Sequence, residues 1–203
     1  MMANTFLSIM LNTIMSLISM AFYTLVERKL LGYFQLRKGP NKVIFLGIPQ
    51  PLADAAKLFF KEQYSPMNSN KPSFILSPML ALMLSMLLWS SYPHLNPSFW
   101  IQFGIIYVLC VSAMNVHTTF ISGWSSNSKY SLLGALRGVA QTISYEISLS
   151  MLLLSGLIMM MNMDMNKINM DSMTPISVAL FIIMILWFVT NLAETNRSPF
   201  DFA

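Results

Sequence analysis

The residues of this sequence that could do chemistry inside a protein are a few ionisable groups set in long apolar stretches. Glu146 interrupts the apolar stretch 132–161, and Glu194 follows the stretch 175–192. A charge near the centre of a lipid bilayer costs about 2.5–3.5 kcal/mol on insertion scales, so such carboxylates face protein or a water-filled cavity. Desolvation disfavours the charged form, and a carboxyl group in a protein interior can therefore exchange a proton near neutral pH. We predict that Glu146, which follows Tyr145, and Glu194 transfer protons.

Arg137 lies in the same stretch as Glu146 but cannot neutralise it. The two residues are nine positions apart, which places them on opposite faces of a helix and about 13.5 Å apart along its axis. A polar stripe at three- and four-residue steps comprises Arg137, Gln141, Tyr145 and Ser148. For Gln141 and Ser148 we predict a structural network of hydrogen bonds between helices.

Five apolar stretches must position these residues. Of 203 residues, 55% are hydrophobic and 10% are charged, against about 25% charged in an ordinary soluble domain. Each stretch is long enough to cross about 30 Å of hydrocarbon as a helix. The sequence therefore predicts an all-α fold, a single membrane domain built as a polytopic transmembrane helix bundle. The five predicted spanning helices are 3–26, 74–90, 98–121, 132–161 and 175–192.

The segment 50–64 is too short and too charged to span a bilayer, yet it has a helical pattern. The apolar residues that recur at helical spacing are Leu52, Ala55, Ala56, Phe59 and Phe60. They lie opposite Asp54, Lys57 and Lys61, so we predict an amphipathic helix along the membrane interface. Such a helix is either a surface anchor or part of the wall of an entrance for a hydrophobic molecule from the bilayer.

The basic residues are unevenly placed along the chain. Eight of the twelve lie between the first two apolar stretches, and the connection 91–97 has no charge. By the positive-inside rule, the first, third and fifth connections face the inner compartment and the N-terminus faces outward. The basic loop lacks the aromatic-interleaved pattern of nucleic-acid-binding modules. We expect phospholipid headgroups and partner subunits as its neighbours, and no nucleic acid.

Cysteine usage limits the redox chemistry of this chain. Cys110 is the only cysteine, which excludes an intramolecular disulfide and a cysteine-based zinc or iron–sulfur site within the chain. We predict no metal site. The 19 methionines, beside abundant Ser, Asn, Ile and Leu, favour an AT-rich organellar genome, although Met also fills helix interfaces flexibly.

Four segments carry a resemblance to a known family. They are 27–41, which ends in the turn Gly39-Pro40-Asn41, and 50–62, 134–146 and 192–201. The last of them reads Leu192-Ala193-Glu194-Thr195-Asn196-Arg197-Ser198-Pro199-Phe200-Asp201. These segments resemble the signatures of subunit 1 of respiratory NADH:ubiquinone oxidoreductase, complex I, and of its bacterial and hydrogenase relatives. The chain departs from that family at Ile44, where relatives commonly have glycine.

The resemblance implies a membrane subunit of a proton-translocating enzyme that holds ubiquinone, its substrate, in a tunnel but has no redox centre or activity of its own. NAD, FMN and iron–sulfur clusters would lie in partner subunits of the membrane and the peripheral arm. The residues implied for the quinone tunnel and its contact with that arm are Glu27, Arg28, Arg37, Asp54 and Phe59. The residues implied for the start of the acidic proton path are Tyr145, Glu146, Glu194 and Asp201, with Arg197 tuning their charge. Arg137 and Gln141 remain structural residues inside the membrane, and Arg37 could instead bind phospholipid or an adjoining subunit.

The same resemblance implies a location in the mitochondrial inner membrane. The N-terminus would lie in the intermembrane space, and the connections after the first, third and fifth helices would lie in the matrix. Chains of this family have eight membrane helices, so we expect this chain to be cut off at the C-terminal side and to be inactive alone.

Three other functions stay open at this stage. A homologous subunit of a membrane-bound hydrogenase would share the signatures, and co-purifying subunits would distinguish it. An ion-coupled transporter would also use interfacial helices and intramembrane carboxylates, although the five stretches show no inverted repeat. A purely structural anchor would tolerate Glu146→Gln without loss of turnover or proton pumping.

Overall fold

The computed structural model describes residues 2–43, 45–93, 100–171, 178, 180–197 and 200–201. Within these residues every regular element is a helix and none is a strand, which confirms the all-α prediction. The α-helices are α1 (Met2–Phe34), α2 (Gln50–Phe60), α3 (Lys71–Ser90), α4 (Gly104–Ser125), α5 (Lys129–Met160), α6 (Met165–Asp171) and α7 (Phe181–Glu194). A short 3-10 helix, Phe45–Gly47, precedes α2.

Four of these helices are long and apolar enough to cross a membrane, namely Thr5–Phe34 within α1 and the whole of α3, α4 and α5. Between 6% and 22% of the most apolar window of each is buried, so their apolar surfaces are free to face lipid or other subunits. The 14 residues of α7 are also apolar, but they rise only about 21 Å as a helix. The predicted spans at 98 and 175 begin outside the described residues, and the total of five spans stays a prediction.

The chain divides into two compact units, residues 1–64 and 65–203. In the first unit, the loop after α1 folds back on the last turns of that helix. The Arg37 backbone N–H donates to the Gly32 carbonyl at 2.9 Å, after Leu36 takes a left-handed φ of 57°. A Cβ at Gly32 would lie 3.0 Å from the Gly39 backbone nitrogen, so the glycines allow backbone to pack on backbone.

The amphipathic helix α2 packs against α1 within this first unit. It carries Pro51 in its first turn, where the missing N–H removes no helical hydrogen bond. Ile44, the departure from the family pattern, lies outside the described residues. The packing of α2 on α1 brings Asp54 beside Arg28, which the sequence separates by 26 positions.

Gly47, at the end of the 3-10 helix, has a backbone conformation and surroundings that only glycine fits without strain. Its φ is 76°, and a Cβ there would overlap the Pro40 carbonyl oxygen. We expect Gly47→Ala to destabilise the loop by about 1–2 kcal/mol from backbone strain alone and to expose it to protease. Limited proteolysis of the purified protein measures the change. Gly156→Ala is the control, because a Cβ at Gly156 has no described atom within 4 Å; equal cleavage of the two variants would contradict the expectation.

In the second unit, α3, α4, α5 and α7 pack in chain order, each against the next. α4 and α5 approach closely at Gly123, where a Cβ would overlap the Ala135 side chain. α5 begins after Ser128, whose hydroxyl oxygen accepts a hydrogen bond from the Ser131 backbone N–H at 3.3 Å. It ends before Met161, which has a left-handed φ of 50°. Because α5 contacts both α4 and α7, its polar side chains can reach both neighbours.

Candidate functional site

A small cavity lies in the second unit, where α4 and α5 meet the C-terminal end of α7. Its volume is about 30 Å³, which is room for about two water molecules at roughly 10–15 Å³ each. Glu146 and Glu194 both line it. The other lining residues are Ser112, Asn115, Val116, Thr119, Thr142 and Asn196. The cavity thus joins the two carboxylates that the sequence selects for proton transfer.

Glu146 lies close to the neighbouring helix α4. The Ser112 hydroxyl lies 3.5 Å from Glu146 Oε1, longer than the roughly 2.5–3.0 Å of an ordinary O–H···O hydrogen bond, so this contact is weak. The same hydroxyl lies 2.9 Å from the Leu109 carbonyl oxygen of its own helix. Since a hydroxyl has one proton and can rotate, Ser112 can alternate between the carboxylate and the backbone.

Gln141 fixes the segment that follows α7. Its side-chain Nε2 donates to the Ala193 carbonyl at 3.1 Å and to the Phe200 carbonyl at 3.0 Å. The ring of Tyr145, one turn further along α5, meets the Phe200 ring edge to face at 5.9 Å. These contacts hold Ala193 and Phe200 against α5 and so position Glu194 on the cavity.

Asn196 contributes an acceptor to this cavity. Its backbone is left-handed, with φ of 47°, and its Oδ1 atom is buried without a hydrogen bond from any described residue. The donors that suit such an oxygen are a water molecule or a protonated carboxyl group. Both are species that can pass a proton along a chain of hydrogen bonds.

The remaining polar residues of this unit lie outside the lining of the cavity. Arg137 is exposed on α5, and the Ser148 hydroxyl donates within its own helix, to the Tyr145 carbonyl at 2.8 Å. Arg197 and Asp201 are exposed. The structure therefore brings Glu146 and Glu194 together on one cavity, whereas Tyr145 contacts Phe200 and does not line that cavity. Ser198 and Pro199 of the signature lie outside the described residues.

The polar wall contributed by α4 is what sequence reasoning missed. Ser112, Asn115 and Thr119 follow one another at three- and four-residue steps within an apolar helix, so they share one face. That spacing was a usable signal. The signal was weak because Ser and Thr hydroxyls in helices can donate to a carbonyl of the preceding turn, as the Thr119 hydroxyl does to the Val116 carbonyl. Such residues need no partner on another helix.

In the first unit, Asp54 is the centre of a small polar cluster. Arg28 Nη1 donates to Asp54 Oδ2 at 2.9 Å, and Gln50 Nε2 donates to Asp54 Oδ1 at 3.0 Å. The hydrogen bond from Gln50 and the neighbouring Arg28 hold the pKa of Asp54 below its ordinary value of 3.8. Asp54 is therefore a carboxylate at every physiological pH. The two side chains of the ion pair are 57% and 40% exposed, so the pair orients α2 more than it stabilises the fold.

The other residues predicted for the quinone tunnel also belong to the first unit. Phe59 is on the outer surface of α2 and is 88% exposed, and Glu27 is half-buried. Arg37 donates through Nε to the Gln35 side-chain oxygen at 2.9 Å. The structure thus pairs Arg28 with Asp54 directly and leaves the Phe59 ring available for an apolar molecule.

No group of three metal-ligating side chains occurs among the described residues. Cys110 is free and exposed on α4.

The fold and this site define a class, a polytopic helical membrane protein with two carboxylates on one cavity. The sequence profile of the NADH dehydrogenase family matches residues 7–203, and the chain belongs to that family. The resemblance found in the four sequence signatures is thereby confirmed.

Curated relatives from animals match most of the chain. It is 50% identical over 198 residues to NADH-ubiquinone oxidoreductase chain 1 of Locusta migratoria, covering 97% of this chain and 63% of the relative. Against the protein of the same name from Aedes aegypti it is 48% identical over 188 residues, covering 92% and 60%. Against that of Strongylocentrotus purpuratus it is 49% identical over 186 residues, covering 91% and 58%. The chain thus spans about three fifths of the length of these relatives.

Proposed function

We propose that this chain is part of the membrane subunit of a proton-translocating NADH:ubiquinone oxidoreductase that holds quinone and begins the proton path. The observation that carries the proposal is the cavity of the second unit, on which Glu146 and Glu194 both lie. Membership of the NADH dehydrogenase family supports it, as do relatives named NADH-ubiquinone oxidoreductase chain 1. NAD, FMN and iron–sulfur clusters are assigned to partner subunits, and ubiquinone is the substrate.

In the proposed proton path, Glu146 and Glu194 exchange protons through water in the cavity. Ser112 donates to Glu146, and the buried Oδ1 of Asn196 orients a donor between the walls. Tyr145, through its contact with Phe200, sets the position of the segment that continues to Asp201. Arg197 and Asp201 are exposed and tune the charge at the inner end of the path.

The first unit is proposed to contact the quinone. Its ion pair of Arg28 and Asp54 anchors α2, and Glu27 and Arg37 add charge at the contact with the peripheral arm. The exposed apolar side of α2 suits an isoprenoid chain, because apolar side chains lower the cost of holding a water-insoluble molecule. Phe59 is the side chain we place nearest the mouth of the tunnel.

Phe59→Ser is expected to raise the KM for long-chain ubiquinone severalfold while leaving kcat nearly unchanged. The reason is that the ring would bind the isoprenoid tail and take no part in the chemical step. NADH:ubiquinone reductase assays with long-chain and tail-less quinones measure this difference. Phe45→Ser, at an equally exposed ring outside α2 (82%), is the control. A KM increase that is equal for both quinones would contradict the role assigned to Phe59.

The proposed location is the mitochondrial inner membrane, with the N-terminus in the intermembrane space. Eight basic residues between the first two apolar stretches support a matrix position for that connection, because basic loops tend to face the inner compartment. Phospholipid and the other membrane and peripheral-arm subunits of the complex are the proposed partners.

The experiment that tests this assignment is affinity purification of the full-length parent protein from its native membrane. We expect a large assembly that oxidises NADH, reduces ubiquinone and is sensitive to quinone-site inhibitors. Isolation as a small complex without that activity would overturn the proposal. A hydrogenase-type set of partner subunits would do the same.

A further inference from the structure

Asp164 is a buried carboxylate for which the proton path has no use. It lies in the connection between α5 and α6 and is only 6% exposed. Its Oδ2 atom accepts hydrogen bonds from Trp100 Nε1 at 3.2 Å and pairs with Lys167 Nζ at 3.3 Å. Its Oδ1 atom is also buried, but no described residue donates to it. A buried carboxylate oxygen without a donor is costly, so a hydrogen-bond donor from outside the described residues would stabilise this position.

A pocket provides access for such a ligand. It has a volume of about 480 Å³, and Asp164 is on its wall together with Trp100, Phe103, Met161 and Lys167. The pocket is therefore apolar on one part of its surface and charged on another. Its size exceeds what one or two water molecules require.

The pocket lies at the ends of two candidate membrane-spanning helices. Phe103 directly precedes α4, and Met161 directly follows α5. The start of α6 closes this end, since Gly104 lets the Met165 side chain pack against the first turn of α4. Trp100 is half-exposed here (53%), as tryptophans at the bilayer interface commonly are. The pocket is thus placed at the depth of lipid headgroups.

The charges in the pocket select the headgroup. A primary ammonium group has N–H donors and a positive charge, so it satisfies the buried Asp164 Oδ1 by a charge-assisted hydrogen bond. The Lys167 side chain is 50% exposed and has three N–H donors, enough to bind a phosphate while it keeps its contact with Asp164. A choline headgroup lacks an N–H and cannot donate to Asp164 at all.

We propose that this pocket binds phosphatidylethanolamine, with the ammonium group on Asp164, the phosphate on Lys167 and the glycerol region along Phe103 and Met161. The lipid would hold the connection between α5 and α6 against the start of α4. This site is independent of the cavity between Glu146 and Glu194, so either assignment can fail without the other.

Photo-crosslinking of the assembled complex in lipid nanodiscs tests the proposal. The probes are photoactivatable phosphatidylethanolamine and phosphatidylcholine with identical acyl chains, and the readout is cross-linked peptides from residues 157–171. We expect about tenfold more cross-linking by the ethanolamine lipid, the ratio that one charge-assisted hydrogen bond provides. Equal cross-linking by the two lipids, or none, would overturn the site. A water molecule would then be the donor to Asp164 Oδ1.

Two variants sharpen this test. Asp164→Asn keeps the shape of the side chain and should abolish the preference for the ethanolamine lipid. Lys167→Gln, at a side chain that is 50% exposed, should weaken both lipids equally because both contain phosphate. Glu62→Gln, an exposed carboxylate of the first unit, should change neither. Persistence of the ethanolamine preference in Asp164→Asn, or loss of only one lipid in Lys167→Gln, would contradict the assigned contacts.

Discussion

Glu146→Gln is expected to lower coupled NADH:ubiquinone turnover and proton pumping by roughly 10²-fold, the lower end of what a positioned acid or base contributes. Glutamine has the shape of glutamate and can still accept the Ser112 hydrogen bond, but it cannot take up or release the proton. The cavity wall would keep its geometry and lose its function. Proton pumping and quinone reduction by the assembled complex in native membrane vesicles measure the effect.

Two further variants make the Glu146 result specific. Glu194→Gln changes the other carboxylate of the same cavity and should impair pumping similarly. Glu62→Gln changes an exposed carboxylate and should leave it intact. Near-normal pumping in a fully assembled Glu146→Gln complex would refute the relay and restore the interpretation of this chain as a structural anchor.

Gln141→Leu is expected to give the second large effect, through position and not through proton chemistry. The substitution removes both hydrogen bonds to the Ala193 and Phe200 carbonyls while keeping a side chain of similar size. Each buried group left without its partner costs about 1–3 kcal/mol. Ala193 and Phe200 should then separate from α5 and carry Glu194 away from the cavity, with loss of activity.

Hydrogen exchange measured by mass spectrometry tests this effect of Gln141. Peptides that cover residues 193–200 should exchange faster in Gln141→Leu, whereas those from α3 should be unchanged. Gln63→Leu, at an exposed glutamine, is the matched control. Unchanged exchange at residues 193–200 with lost activity would mean that Gln141 acts on the chemistry directly.

The fold class could be predicted from composition because few backbone structures can cross a lipid bilayer. Without water to satisfy the backbone, a lipid-facing segment must form its hydrogen bonds internally, and an apolar stretch of about 20 residues becomes a helix. Hydropathy marks only the part of a helix that is apolar. For this reason α1 continues to Phe34, well past the end of the stretch 3–26, through charged residues that hydropathy excludes.

The carboxylates of the candidate site were predictable because their cost inside a membrane is high. Glu146 interrupts an apolar stretch and Glu194 directly follows the end of one, and the sequence selects both. The polar wall opposite them was not predicted. Uncharged side chains such as Ser112 and Asn115 cost much less free energy in a membrane helix than a charged group does, so they give no comparable signal. Nor does sequence spacing reveal that Trp100 and Asp164, 64 positions apart, share a hydrogen bond. Such pairs depend on which helices pack together, and periodicity along one helix contains no information about its neighbour.

Infrared difference spectroscopy of the assembled complex, between the oxidised and quinone-reducing states, tests the central claim most directly. It detects the C=O stretch of protonated carboxyl groups, so it reports whether a buried carboxyl changes its protonation during turnover. A carboxyl band that changes with quinone reduction in the native complex and is absent in Glu146→Gln is the result we predict. An identical band in both proteins would show that the cavity between Glu146 and Glu194 takes no part in proton transfer.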